Sequence, residues 1–175
     1  MGAGKSRIGR TLKDKWNWPF YDSDTVVEQK AGMTIKEIFK IQGELAFRTM
    51  ESEAISDLSV KPYPSIISLC GGALMSAKNL SLIQANGLVV YIKSAPEHIL
   101  ERVKHNDKRP LLQVEKGNNF EENLSAKISA LLEEREPVYL KADIVFERDD
   151  LEPNEVVDNL IIKIESAWEN YRENH

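Results

Sequence analysis

Three short runs of the chain are almost wholly apolar and rich in β-branched residues: SIISLC (65–70), LVVYIK (88–93) and ADIVFE (142–147). Continuous apolarity over so few residues, rather than alternation, is how a strand covered on both faces reads. A fourth run, PFYD (19–22), is shorter and ends in a carboxylate. Elsewhere the apolar positions recur at helical spacing. Such patterns cover Lys5 to about Lys15, then TVVEQK, TIKEIFKIQ and GELAFRTMESEAISDL ahead of the first of the three runs. AKNLSLIQ separates the first and second runs, PEHILERVKH and FEENLSAKISALLEERE the second and third, and NEVVDNLIIKIESAWENY follows. Strands alternating with helices predict an α/β fold, a parallel sheet with helices on both faces. One stretch, NDKRPLLQVEKGNN, is polar, carries glycine and lies between two helices, so a mobile lid is expected over about residues 105–119. No repeat or low-complexity linker divides the chain, and 1–175 is expected to be a single domain.

Composition narrows the partners. With 175 residues, 42% of them hydrophobic and 29% charged, the chain can bury a real core as one soluble domain. A net charge of −5, spread rather than blocked, argues against nucleic acid or a membrane surface, both of which attract clustered Lys and Arg. No apolar run approaches the roughly 18 residues of a membrane span, and no signal peptide precedes the first helix. Cys70 is the only cysteine, which leaves no disulfide framework and no zinc set and fits a reducing cytoplasm.

The candidate chemistry begins at the first residues. Gly2-Ala3-Gly4-Lys5-Ser6 is the second half of the phosphate-binding pattern G-x-x-x-x-G-K-[ST], whose first glycine would fall two positions ahead of Met1. Glycines there let backbone N–H groups wrap an anion, and the following helix start adds favourable partial charge. Lys5 would neutralise phosphate oxygens and the Ser6 hydroxyl would ligate Mg²⁺. A chance glycine turn with a solvated lysine remains open at this point. Asp22 and Asp24 flank Ser23 at the end of the run PFYD, where open α/β sheets present their ligand crevice; taken alone, such a pair is more often a turn with a helix cap. Arg48 and Glu51 share a helix face at three-residue spacing. CGGAL follows the strand SIISLC, RPLL lies in the lid and EREPVY precedes the last strand.

In this joint order the motifs resemble those of the shikimate kinases, small P-loop kinases, from Met1 to roughly Phe146. The resemblance implies a three-layer P-loop kinase fold with sheet order 2-3-1-4-5, its first strand absent here, and a mobile lid. It implies ATP as co-substrate, Mg²⁺ as metal, shikimate as acceptor and a monomer that binds neither nucleic acid nor membrane. By the same resemblance Gly2, Ala3, Gly4, Lys5, Ser6 and Arg7 would hold the ATP phosphates, with Ser6 and Asp22 toward Mg²⁺. Asp24 would meet the attacking hydroxyl, Arg48 and Arg135 would clamp the substrate carboxylate, and Glu51 would orient Arg48. The amides of Gly71 and Gly72 would bind substrate oxygens. Arg109 would close over the phosphates and Arg102 would lie along the adenine. Two departures stand out: Arg7 where the family has threonine or serine, and Cys70 at the first position of a glycine triplet. Cys70 is expected to be a small buried residue, His98, His105 and His175 surface residues, and Trp16, Trp18 and Trp168 packing residues.

Two other readings share the loop. One is a gluconokinase-like kinase of a small metabolite; the other is a non-catalytic, nucleotide-binding remnant. The absent strand carries a further expectation. It would separate SIISLC from LVVYIK by two strand spacings, roughly 9–10 Å, which backbone hydrogen bonds cannot cross. The 175-residue chain is then expected to be loosely folded or inactive, with about ten upstream residues supplying the strand and the first glycine.

Overall fold

The computed structural model describes residues 2–105, 110–114, 117–152 and 155–174. The phosphate loop leads into helix α1 (Lys5–Trp16), which buries Ile8 and Leu12. Strand β1 (Phe20–Asp22) follows, then α2 (Ser23–Ala31), α3 (Ile35–Ile41) and α4 (Gly43–Ser59). Asp22 caps α2 by accepting from the Asp24 amide, and Thr34 with Glu37 forms a reciprocal capping box on α3. Next come β2 (Ile66–Ser68), α5 (Ala77–Asn86), β3 (Val90–Lys93), α6 (Pro96–Val103), α7 (Phe120–Tyr139), β4 (Ile144–Glu147) and α8 (Glu155–Asn174). Among the described residues no helix is long and apolar enough to cross a membrane.

The strands form two parallel pairs. In β1 and β2, Phe20 lies opposite Ile66 and Asp22 opposite Ser68. In β3 and β4, Val90 lies opposite Ile144 and Lys93 opposite Glu147. No ladder joins β2 to β3. Between them lies a cavity of about 470 Å³, lined among others by Ile66, Ile67, Val90 and Ile92 from the two strands and by Ile8 and Leu12 from α1. SIISLC and LVVYIK therefore do not pair with each other. The three strands are also shorter than the apolar runs that predicted them, because each is laddered along one edge only and ends where its partner ends.

Among the described residues, apolar contact is divided among three clusters. One joins α1, β3, β4 and α8 through Leu12, Ile92, Phe146 and Leu160. A second lies between α2, α3 and α4 around Val27, Ile38, Phe47 and Ala54. The third packs α6 on α7 through Ile99, Val103, Leu124 and Ile128, and Leu112 joins it. Of the expected lid over about 105–119, residues 106–109, 115 and 116 lie outside the described residues; Pro110–Leu112 form a short 3-10 turn, and Leu112 packs on the α6–α7 cluster. Trp16, Trp18 and Trp168 are half-buried and pack in series as tilted pairs, with ring centroids 4.8 and 6.1 Å apart, in keeping with packing roles. His98 and His105 are exposed, whereas His175 lies outside the described residues.

Candidate active site

Gly2 and Gly4 adopt positive φ of 63° and 85° on either side of Ala3. Only glycine holds that conformation at little cost, and such a turn directs successive amides to one side as an anion-binding concavity. Gly4 is also the N-cap of α1, and it offers no side-chain acceptor to the first-turn amides. The helix start thus presents backbone donors and a positive partial charge in one place. Both loop carbonyls are engaged from outside: Arg102 Nε donates to Gly2 O at 3.0 Å and Arg148 Nη1 to Ala3 O at 2.5 Å.

Behind the loop, the Ser6 hydroxyl donates to Asp22 Oδ2 at 2.6 Å and lies 3.2 Å from the Ser68 hydroxyl. This follows from the sheet, since Asp22 and Ser68 are register partners at the ends of adjacent parallel strands. A carboxylate and two hydroxyls suit a hard cation that keeps most of its waters and shares them with phosphate oxygens. Among the described residues no cluster of three His, Cys, Asp or Glu side chains could form an all-protein metal cage. Such a cage is not what a phosphate-bridging Mg²⁺ requires.

The second half of the site is built around the turn Cys70-Gly71-Gly72 beyond β2. Ser23, fully buried between the two aspartates, accepts the Cys70 amide at 2.8 Å and so ties the turn to the start of α2. The Tyr139 hydroxyl donates to the Gly71 carbonyl from the last turn of α7. Gly72 has no Cβ because Arg48 lies there: a built Cβ would stand 2.8 Å from Cζ and 2.9 Å from Nη2, and closer still to Nη1. Arg48 Nη1 donates to Glu51 at 3.0 Å, while Nη2 and Nε donate to Glu44 at 2.9 and 3.3 Å. Burial opposes the Arg48 charge, but the Glu51 and Glu44 carboxylates outweigh it and raise the pKa.

Burial, with Asp24 and Glu51 nearby, pushes the Cys70 thiol far above its ordinary range, so it stays protonated and inert. Burial also raises Tyr139, with the Arg135 guanidinium working against it and Cys70 adding to it. The contacts gather the same groups around one turn: Asp24 follows Ser23, which holds the Cys70 amide, Arg48 lies against Gly72 and bonds Glu51, and Tyr139 bonds Gly71 with Arg135 one helical turn before it on α7. Arg135 is 6% exposed and its Nε has no partner among the described residues; the same is true of Glu51 Oε1. Buried polar groups are seldom left unmatched without a reason, and here a polar ligand at the turn would supply one.

Most residues expected from the motifs thus fall into two adjoining groups, the loop with Ser6 and Asp22, and the turn with Asp24, Arg48, Glu51 and Arg135. Arg7 is exposed on α1. Arg102 reaches the loop backbone, and its Nη2 reaches Ser94 and, at 3.5 Å, Asp149. Arg109 lies outside the described residues. Four residues at the site were not anticipated: Ser23, Ser68, Tyr139 and Arg148. Ser68 could have been found from strand pairing, since it ends the strand next to Asp22. Tyr139 stood in the motif EREPVY without an assigned task.

Comparison with known proteins identifies the family. The shikimate kinase family profile matches residues 1–165. A shikimate kinase of Legionella pneumophila is 40% identical over 162 residues, covering 92% of this chain and 88% of the relative. One from Thermus thermophilus is 41% identical over 165 residues, covering 94% and 85%. Among solved structures, shikimate kinase from Acinetobacter baumannii in complex with shikimate superposes with a TM-score of 0.86 at 34% identity, covering 95% of this chain and 89% of that one. The enzyme from Bacteroides thetaiotaomicron gives 0.84 at 28% identity, covering 97% and 94%. The chain belongs to the shikimate kinase family.

Proposed function

We propose that the chain transfers the γ-phosphoryl group of ATP to the 3-hydroxyl of shikimate, giving shikimate 3-phosphate and ADP in aromatic amino acid biosynthesis. The observation that carries this reading is the adjacency of a glycine-built anion loop to a turn ringed by Asp24, Arg48, Glu51 and Arg135. The loop amides and Lys5 hold the nucleotide phosphates. Ser6 and Asp22, with Ser68 behind them, hold Mg²⁺. When bound, the ion would neutralise charge that builds on the transferring phosphoryl oxygens.

Phosphoryl transfer asks the protein chiefly for positioning and charge stabilisation. Asp24 accepts the hydrogen bond of the attacking hydroxyl and takes its proton as the new O–P bond forms and the bond to ADP breaks. Arg48 and Arg135 present planar forks that match the two oxygens of the substrate carboxylate. Glu51 orients Arg48, and the Gly71 and Gly72 amides meet ring oxygens. Arg102 and Arg109 serve the nucleotide, Arg109 from a lid over residues 105–119 that excludes water as a competing acceptor. The chain works as a single-domain monomer in the cytoplasm.

A coupled assay of ADP release with shikimate and with gluconate tests the reading. Turnover with shikimate alone is expected; turnover with gluconate would favour another small-metabolite kinase. Nucleotide binding without turnover of either acceptor would favour a non-catalytic relative.

A further inference from the structure

Arg148 stands just beyond β4, and none of the site's motifs includes it. Its Nη1 donates to the carbonyl of Ala3, and a Cβ built on Gly4 would lie 2.6 Å from that nitrogen. Its backbone amide is tied to Lys93 O at 3.3 Å, which places its base at the paired ends of β3 and β4. Its Nε is buried and has no partner among the described residues. Arg102 approaches from α6 and donates to the carbonyl of Gly2. Two guanidinium groups from different elements therefore hold consecutive carbonyls of one glycine loop.

Peptide planarity gives this a consequence. In a trans peptide the C=O of one residue and the N–H of the next point in opposite directions. A carbonyl of Gly2 held outward fixes the amide of Ala3 inward, and a carbonyl of Ala3 held outward fixes the amide of Gly4 inward. Gly2 and Gly4 are the residues freest to rotate away, so without such anchors the concavity must be ordered when the anion arrives. Anchors already in place remove that ordering from the cost of binding.

We propose that Arg148 is a positioning residue for nucleotide binding: it holds the Ala3 carbonyl outward and, alongside Arg102 on Gly2, preorganises the loop amides for a polyphosphate. This rests on the nucleotide site proposed above. The charge of Arg148 works in the same direction. Burial first, and then the neighbouring Arg102 and Arg7 charges, lower its pKa, with Asp149 opposing them. Several like charges thus gather at the loop around one carboxylate, and an incoming anion relieves their repulsion.

The test is calorimetric titration of ADP, AMP and shikimate into the parent, R148M and R148K. Methionine keeps the aliphatic stem and removes every donor. R148M is expected to weaken ADP binding roughly tenfold or more, the scale of a lost charge-assisted hydrogen bond. AMP, which lacks the phosphate that sits deepest in such loops, should lose much less, and shikimate affinity should not change. R148K should recover part of the ADP loss. In ligand-free R148M the amide resonances of Ala3 and Gly4 should move while those of Gly71 and Gly72 stay. Unchanged ADP affinity in R148M, or equal losses for all three ligands, overturns the proposal. If R148M gives no cooperative melt, R148Q carries the same comparison. A parent that binds no ADP overturns the nucleotide site itself and the proposal with it.

Discussion

Replacing Gly72 with alanine should damage shikimate binding through one side chain, and the structure says which. Gly72 has φ −92° and ψ −8°, a conformation alanine adopts freely. No backbone strain follows, and the smaller unfolded ensemble would by itself stabilise the fold by about 0.4–1 kcal/mol. The obstacle is Arg48, whose Cζ and Nη2 would stand 2.8 and 2.9 Å from the new methyl and whose Nη1 would be closer. Those separations cannot be sustained, so the guanidinium must swing aside. It is the far end of a flexible side chain and can do so, but only by leaving the position in which Nη1 meets Glu51 at 3.0 Å. A displaced fork would no longer meet the carboxylate of the proposed substrate. Hydrogen bonds to charged groups are worth about 1.5–3 kcal/mol, which converts to a loss of about 10- to 150-fold in shikimate affinity.

The assay is a double-mutant cycle. Shikimate affinity and thermal stability are measured for the parent, G72A, R48A and the double variant. In the parent background G72A should cost binding as above. In the R48A background, with no guanidinium to displace, it should be neutral for binding and slightly stabilising. An equal penalty in both backgrounds refutes the argument, because the methyl would then be acting on something other than Arg48. ADP affinity provides the control, since nothing at Gly72 reaches the phosphate loop.

Further expectations follow from the same geometry. Asp24→Asn should lower kcat by about 10²–10⁴-fold with ADP affinity nearly intact; full kcat would remove Asp24 from the reaction. Lysine in place of Arg48 or Arg135 keeps the charge but loses the fork, so the shikimate KM should rise strongly, and an equal rise in the ATP KM would move these arginines to the nucleotide. Asp149 titrates below its ordinary value of 3.8: burial opposes this, but the Ser94 hydroxyl, the Ala95 amide and His98 outweigh it. Its carboxylate therefore stabilises the fold above that ordinary value and ceases to as pH falls through the depressed one. The stability gap between the parent and D149N should close over that acid range, and a gap that persists below it refutes the assignment. Finally, Ile66 N bonds to Pro19 O and Ile144 N to Val89 O. By two-residue alternation the backbone groups of Ile67, Val90 and Ile92 face the cavity between the pairs. Their amides should exchange with solvent faster than those of Ile66 and Tyr91; equal protection would mean that the β2 and β3 edges are covered.

The helices and the direction of the strands were readable because each depends on local pattern. Ile8 and Leu12 mark the buried stripe of α1, and uninterrupted apolar runs marked β2, β3 and β4. Strand lengths were not readable, since they depend on how many edges find partners. SIISLC contributes only Ile66–Ser68 to a ladder, although every residue in it suits a strand. The role of Leu112 was hidden for a related reason. A run as short as Pro110–Val114 carries no helical or strand periodicity, and only the meeting of α6 and α7 shows that Leu112 and Val114 have a place to pack.

At the site, the residues that stood out were those whose side-chain chemistry is itself the message: Lys5, Ser6, the aspartates flanking Ser23, and arginines at fixed distances from carboxylates. Three of the four residues that escaped notice act on the backbone of others. Ser23 accepts the Cys70 amide, Tyr139 donates to the Gly71 carbonyl, and Arg148 donates to the Ala3 carbonyl. A side chain that serves a carbonyl needs only one donor and the right address, and the address is set by folding over separations of 47, 68 and 145 residues. Nothing in local composition encodes such a separation. The same reasoning explains why glycines were readable as a loop and a turn while their anchors were not. A glycine announces freedom of the backbone wherever it occurs, whereas the group that removes that freedom can come from any element the fold brings near. In this chain the two glycine segments that form the site, Gly2–Gly4 and Gly71–Gly72, are both held by distant hydrogen-bond donors, at α6 and beyond β4 for the first and at the end of α7 for the second. The order of both glycine segments is thus supplied by side chains 68 to 145 residues away in the sequence.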